Sequence, residues 1–206
     1  LSISSDGLDP IVASLADSAT TAEDTSVTLN VLANDSYQTS LPVTLTAGAA
    51  SSGSISILNN VITYSPNDNF NGSDSFTYTL VQNASSTSST VSIAVSSVND
   101  NPVINTASVL DVANAETNVG VISISDVDGD SLTLSLSGTD ADSFNLSEDN
   151  VLSFKTASDY ETKNSYSITL TVSDGVTSIT KDITISIIRP RVIGYEVIKS
   201  IDVIDT

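Results

Sequence analysis

Residues 91–102 read Val91-Ser92-Ile93-Ala94-Val95-Ser96-Ser97-Val98-Asn99-Asp100-Asn101-Pro102, and the stretch changes character halfway. Val91, Ile93 and Val95 alternate with Ser92, Ala94 and Ser96, which makes one face apolar and the other small or hydroxyl-bearing. A period of two marks a half-buried β-strand, because successive side chains leave opposite faces of the pleat. The alternation stops at Asn99-Asp100-Asn101, whose short polar side chains compete for backbone hydrogen bonds, and Pro102 biases Asn101 towards an extended conformation. A strand that runs into a stiff polar linker marks a domain boundary.

The same alternation recurs on both sides of this boundary. Upstream it appears in Val27, Leu29 and Val31 and in Phe76, Tyr78 and Leu80; downstream, in Leu132, Leu134 and Leu136, in Ile168, Leu170 and Val172, and in Ile183, Ile185 and Ile187. Asn34-Asp35, Ser52-Gly53, Asn71-Gly72, Asp128-Gly129 and Asp174-Gly175 separate the runs as turn signals. No stretch before residue 190 has the spacing of an amphipathic helix. Short strands at this spacing predict an all-β chain of two tandem Ig-like β-sandwiches, each of about seven strands. The expected division is 1–16 as the end of a preceding repeat or linker, 17–98 as the first sandwich, 99–102 as the linker, 103–188 as the second sandwich and 189–206 as the start of a following unit. Ala22-Glu23-Asp24-Thr25 near the start of the first unit invites comparison with Ala115-Glu116-Thr117 near the start of the second.

Of 206 residues, 62 are Ser or Thr, and 25 Asp and Glu stand against 6 Lys and Arg, with no His, Cys, Met or Trp. Imidazole bases, thiolate nucleophiles and the nitrogen or sulfur ligand sets of zinc, copper and haem are therefore excluded. The cations are Lys155, Lys163, Lys181, Arg189, Arg191 and Lys199, so residues 1 to 154 hold eighteen carboxylates and no basic side chain. That balance repels phosphate backbones and anionic lipid, and no apolar run approaches the ~20 residues that span a bilayer. Nucleic acid and membrane insertion are excluded as partners on these grounds, and any export signal lies outside the chain. Hydroxyl nucleophiles are abundant, but the first unit has no lysine or histidine to activate them, so an enzyme is not expected.

Hard, oxygen-seeking cations are the natural partners of such a surface. Asp126-Val127-Asp128-Gly129-Asp130 follows a strand ending at Ile124, and an extended chain puts its three carboxylates on one side. Neighbouring charges ~6.6 Å apart repel by about 0.6 kcal/mol in bulk water and several-fold more where partly buried, a term that a bound cation reverses. A solvated acidic turn would read the same in sequence. The loop is not an EF-hand, since Gly129 stands at its fourth position and Ser137 at its twelfth. Asn99, Asp100 and Asn101 add neutral and charged oxygens at a domain junction, which suits Ca²⁺.

Here the chain resembles a known family. Asn99-Asp100-Asn101-Pro102 is similar to the inter-domain calcium motif of cadherins, Ser125-Asp126-Val127-Asp128 to their paired-aspartate turn, Asp159-Tyr160-Glu161 to their acid-aromatic-acid motif, Ser173-Asp174-Gly175 to their late-strand Asp, and Glu116 to their early-domain Glu. The first unit, with Thr21-Ala22-Glu23-Asp24-Thr25, Val31-Leu32-Ala33-Asn34-Asp35 and Phe70-Asn71-Gly72-Ser73-Asp74-Ser75-Phe76-Thr77-Tyr78, resembles the tandem Ig-like and cadherin-like repeats of giant RTX-type bacterial surface adhesins. The resemblance implies that Asp126, Asp128 and Asp174 face the linker from the second unit and Glu23, with Asp68 or Asp74, from the first. It implies Ca²⁺ at the linker and a calcium-rigidified spacer on a bacterial cell surface, outside the cell, acting in adhesion or biofilm formation. Its implied partners are neighbouring repeats of the same chain, with surface glycans or identical repeats on another cell as alternatives. A carbohydrate-binding or homophilic adhesion module is the competing class.

Departures from the motif sharpen these expectations. Ser97 stands where the eukaryotic motif has its first Asp, which lowers the expected ion count. Asp35-Ser36-Tyr37 and Gln82-Asn83 replace acidic pairs in the first unit, and the upstream linker is Leu8-Asp9-Pro10, so a weak or absent ion is expected there, with Asp6, Asp9 and Asp17 as partial compensation. Ile188-Arg189-Pro190-Arg191 puts cations in the downstream linker. Arg189 or Arg191 is expected to pair with Glu116, Asp159 or Glu161 in place of a metal, the alternative being that both are solvated. Tyr37, in a turn, is the best candidate for an exposed aromatic.

Overall fold

The longest elements are two antiparallel hairpins, one in each half of the chain. The computed structural model describes residues 12–189, which divide between Asn99 and Asp100 into two units. In the first unit β6 (Gly72–Gln82) pairs with β7 (Ser85–Ser96) through eleven register positions, from Gly72 opposite Val95 to Gln82 opposite Ser85. Asp74, Phe76, Tyr78, Leu80 and Gln82 point inward from β6, and Val91, Ile93 and Val95 do so from β7. Their partners on the other face are almost all Ser and Thr, which a half-solvated antiparallel sheet requires.

Two further strands complete that sheet: β3 (Thr44–Ala47) lies beside β6, and β1 (Asp17–Ala22) runs parallel to β7. A second, three-stranded sheet is ordered β2 (Val27–Leu29), β5 (Val61–Pro66), β4 (Gly53–Leu58). Asn59 and Asn60 close the β4–β5 hairpin, both left-handed at φ +51° and +61°, a conformation asparagine tolerates better than most residues. Ile62, Tyr64, Phe76, Tyr78, Leu80 and Val91 fill the space between the sheets, each at 3% exposure or less. Burying an aliphatic or aromatic side chain this completely contributes roughly 1.5–3 kcal/mol relative to leaving it in water.

The second unit repeats the plan. β9 (Val109–Ala113) runs parallel to β16 (Ser178–Ile188), which pairs with β15 (Ser165–Ser173) and, through it, with β12 (Thr133–Ser137). The facing sheet is β10 (Asn118–Val121), β14 (Val151–Phe154) and β13 (Phe144–Leu146). A short pair of β8 (Val103–Ile104) and β11 (Ile124–Ser125) ties the incoming chain to the second sheet's side, as the single Ala13–Ser36 bridge does in the first unit. Helical structure among the described residues is confined to single 3₁₀ turns at Val31–Ala33 and Ala141–Ser143, in keeping with the absence of a helical period. None is long and apolar enough to cross a membrane. Residues 190–206 of the expected start of a following unit, 189–206, lie outside the described residues, as do residues 1–11 of the expected preceding segment.

Candidate functional site

The acidic turn of the second unit begins where β11 ends. Asp126 Oδ1 accepts the N–H of Asp128 at 2.8 Å, which folds the backbone into an Asx turn, and Gly129 follows at φ +77°, a left-handed conformation that glycine adopts without strain. The turn gathers Asp126, Asp128 and Asp130 so that a carboxylate oxygen from each lies within 4.8 Å of the others. Asp128 and Asp130 are exposed, and Asp126 is half-buried with its Oδ2 enclosed and without a hydrogen-bond partner. Asp128 Oδ2 accepts the N–H of Asp100 at 2.7 Å, which ties the acidic turn to the start of this unit. The ion pairs among the described residues, Lys163–Asp140 and Arg189–Glu161, lie elsewhere.

In the first unit Glu23 is the residue that follows β1. Its N–H donates to the Ser96 carbonyl at 2.9 Å, continuing the parallel ladder by one step, and its side chain folds over the end of β7. Oε1 accepts the N–H of Val98, while Oε2 is buried with no partner. The residue is only 3% exposed. A buried carboxylate oxygen without a hydrogen bond from the protein is costly, and such atoms mark places where a cation can bind. Asn99 and Asn101 are exposed, and Asp100 is half-buried.

Three other nominated residues sit in different surroundings. Asp74 projects inward from β6, where Oδ1 accepts from Ser51 N (3.2 Å) and Ser75 N (2.8 Å) and Oδ2 from Ser52 N (2.9 Å) and the Tyr64 hydroxyl (2.9 Å). Burial alone would push its carboxyl up, but the backbone N–H groups of Ser52, Ser75 and Ser51 and the Tyr64 hydroxyl hold it below the usual carboxylate range. The same contact, after burial, pushes the Tyr64 phenol up to about 12. Gly53 makes this packing possible, since a Cβ there would fall 2.5 Å from the Tyr64 ring and 2.7 Å from the Ser65 carbonyl. Asp174 uses Oδ1 to accept from Val176 N (2.7 Å) and Thr177 N (2.6 Å) and Oδ2 from Thr177 Oγ1 (2.9 Å), so it stitches its own turn. Asp68 is exposed in the turn between β5 and β6.

The comparison of Glu23 with Glu116 needs correction. Ala22 lies opposite Ser96, and Ala113 lies opposite Ile188. Glu23 donates to the Ser96 carbonyl as Asn114 donates to that of Ile188, at 3.0 Å. Asp24 and Ala115 follow, both left-handed at φ +56° and +69°. Glu23 therefore corresponds to Asn114, and Glu116 to Thr25. Similar acidic letters two positions apart in one turn masked the shift; the ladder hydrogen bonds fix it.

Sequence reasoning missed a second polar cluster, where the chain crosses into β1. The Tyr78 hydroxyl donates towards the Leu15 carbonyl at 2.9 Å and Asp35 at 2.9 and 3.0 Å, and Asp35 Oδ1 also accepts Leu15 N at 2.9 Å. Asp17 lies alongside, with Oδ2 enclosed and without a hydrogen-bond partner. Burial pushes the Asp17 carboxyl up, hydrogen bonds from Tyr78 and Asn34 oppose this, and the neighbouring Asp35 charge adds to it. The Tyr78 phenol is likewise pushed up, by burial first and then by both carboxylates. The Tyr78 hydroxyl in the Phe76, Tyr78, Leu80 run was the available signal, and its alternation read simply as core.

Comparisons with known proteins agree with this architecture. A family model described as a bacterial Ig domain matches residues 8–96 and again 99–186. Among solved structures, repeats EC1-2 of human mucin-like protocadherin match with a TM-score of 0.52 at 17% identity, over 87% of this chain and 99% of that one. Repeats EC22-24 of mouse cadherin-23 match with a TM-score of 0.55 at 19% identity, over 88% of this chain and 65% of that one. At these identities the likeness establishes a shared cadherin-like fold. An endo-fucoidan hydrolase of glycoside hydrolase family 107 also aligns, but this chain spans 29% of its length and the TM-score of 0.38 supports no argument about activity. No curated protein matches the sequence.

Proposed function

Because this chain belongs to the bacterial Ig domain family across both of its units, we propose that it serves as a pair of spacer repeats in a bacterial surface adhesin, stiffened by Ca²⁺ at the Asn99–Pro102 junction. The observation that carries this reading is that two of the enclosed, partnerless carboxylate oxygens, Glu23 Oε2 and Asp126 Oδ2, belong to turns tied by hydrogen bonds to residues of the linker region. Glu23 is tied to Val98 and Asp128 to Asp100, two residues further along the chain, so acids of both units are anchored to one short segment. The donor set is all oxygen and strongly anionic, which fits a hard dication that takes six to eight oxygen ligands. Glu23, Asp100, Asp126, Asp128 and Asp130 would hold the ion, with Asn99 and Asn101 supplying neutral oxygens. Asp74 and Asp174 are left out, since hydrogen-bond donors already engage both oxygens of each, and so is the solvated Asp68.

Bound Ca²⁺ would supply charge neutralisation for the acids beside the linker. The chain's own part is mechanical: it holds two rigid sandwiches on a proline-stiffened segment and presents the acids from turns fixed by backbone hydrogen bonds. Extracellular modules hold Ca²⁺ at roughly 10⁻⁴ to 10⁻³ M, so such a junction fills outside the cell and empties inside it. Neighbouring repeats of the same chain are the partners this role needs. Glycan recognition has less support, because no aromatic among the described residues is exposed; Tyr37 itself is half-buried. X-ray scattering on the full chain tests the reading: the particle should be longer and stiffer in calcium than in chelator, and Asp126→Asn/Asp128→Asn should abolish the difference. Superimposable curves for the natural sequence would refute it.

A further inference from the structure

We infer that the exit of the second unit does not take a divalent cation and that Arg189 closes it instead, so that calcium acts on one end of this unit only. The contrast rests on the junction reading above, but the chemistry of this end stands by itself. The ladder correspondence carries the comparison: Ala22 and Ser96 match Ala113 and Ile188, so Glu23 matches Asn114 and Ser97 matches Arg189. In the first unit the Glu23 carboxylate accepts the N–H of Val98 and keeps a second, enclosed oxygen in reserve. In the second unit the corresponding residue is the neutral Asn114, so the carboxylate that would face a cation is replaced by an amide.

Asn114 and the acids of the 159–161 turn are already matched with donors. Asn114 Oδ1 accepts the N–H of Tyr160 at 2.7 Å, which fixes the turn that carries the acids. Asp159 accepts from Thr162 Oγ1 at 2.6 Å and from Glu161 N at 3.1 Å. Arg189, the first residue after β16, places its guanidinium carbon 4.5 Å from the centroid of the Tyr160 ring and pairs with Glu161. A guanidinium held on an aromatic face while it donates to a carboxylate is a directed contact that lysine or a point charge would not reproduce. Glu116, the remaining acid that was expected here, is exposed. A cation site needs acceptors whose lone pairs converge, whereas here donors face the acceptors and the positive charge of Arg189 lies beside them.

Calcium titration of the full chain by calorimetry separates the possibilities. Asp159→Asn/Glu161→Gln should leave stoichiometry unchanged and affinity within about twofold of the natural sequence, while Asp126→Asn/Asp128→Asn should remove binding. Loss of an equivalent of calcium in Asp159→Asn/Glu161→Gln, or residual binding in Asp126→Asn/Asp128→Asn that needs Asp159 and Glu161, would overturn the inference. A natural sequence that binds no calcium at all would refute the proposed junction and leave this inference standing. In a second measurement, Arg189→Ala should lower the melting temperature of the second unit by about 2–4 °C, equally in calcium and in chelator. A deficit seen only in chelator would mean that calcium substitutes for the arginine, and would also overturn it.

Discussion

The two sandwiches solve one problem with different chemistry. Each must pin its incoming strand where the chain crosses from one sheet to the other, and in each the carbonyl to be satisfied lies two residues before the position matching Asp17. In the first unit the Leu15 carbonyl accepts from the Tyr78 hydroxyl of β6, backed by Asp35. In the second the matching carbonyl, that of Thr106, accepts from the Lys181 ammonium of β16 at 2.6 Å, and Ile104 O shares it at 3.3 Å. Leu170, which matches Tyr78, is simply core. A unit with no basic side chain must satisfy its buried carboxylates with hydroxyls and backbone amides; a unit with lysine and arginine can use them. Asp74 and its four donors belong to the first strategy, and its counterpart Tyr166 packs edge-on against Phe144 and Phe154 instead.

The largest effect that would break this comparison is expected at Asp74. Asp74→Ala strips the acceptor from a buried phenol and three N–H groups and should cost the first unit roughly 2–4 kcal/mol in urea unfolding. A loss below ~1 kcal/mol would show that water replaces the carboxylate and that the network is not structural. Next come the two clamps. Tyr78→Phe and Lys181→Met should each cost about 1–2 kcal/mol, each confined to its own unit; if either variant unfolds both units together, the two are not independent.

The smallest expected effect is a pH dependence, measured in chelator. Asp17 has its folded carboxyl raised above the ordinary ~3.9, so its contribution is fully present below that value and is lost as pH rises through the higher folded value. Asp140 runs the other way. The Lys163 ammonium, then Ser167 N–H, holds it low, so its contribution is present above ~3.9 and is lost as pH falls through the depressed value. Mild acid should therefore raise the melting temperature of the first unit relative to that of Asp17→Asn, while leaving the second unit's carboxylate contribution intact until lower pH. Parallel pH profiles for Asp17→Asn and the natural sequence would remove Asp17 from the account.

The strands were legible because alternation is a local property. Val91, Ile93 and Val95, and Ile183, Ile185 and Ile187, face inward as their spacing predicts. The acidic turn was legible because Asp-x-Asp-Gly-Asp has few ways to fold, and the pairing of Arg189 with Glu161 was among the outcomes its position suggested. Asp74 and Asp174 were harder. A carboxylate's role depends on whether donors or acceptors surround it, and three of the four donors to Asp74 come from residues 51, 52 and 64, on other elements. The mismatch of Glu23 with Glu116 has the same origin, since residue letters near a turn carry no register until the ladder beside them is known.

By itself the sequence determined an all-β chain of two tandem Ig-like repeats with a strongly acidic composition. Period, turn chemistry and net charge are additive along the chain, and they survive without knowledge of contacts. The tertiary structure decided which acids are committed to donors and which keep an enclosed oxygen, because hydrogen-bond satisfaction depends on strands brought together across the fold. By that criterion Asp74 belongs to the core network, Glu23 and Asp126 to the candidate site, and Arg189 to a closed end.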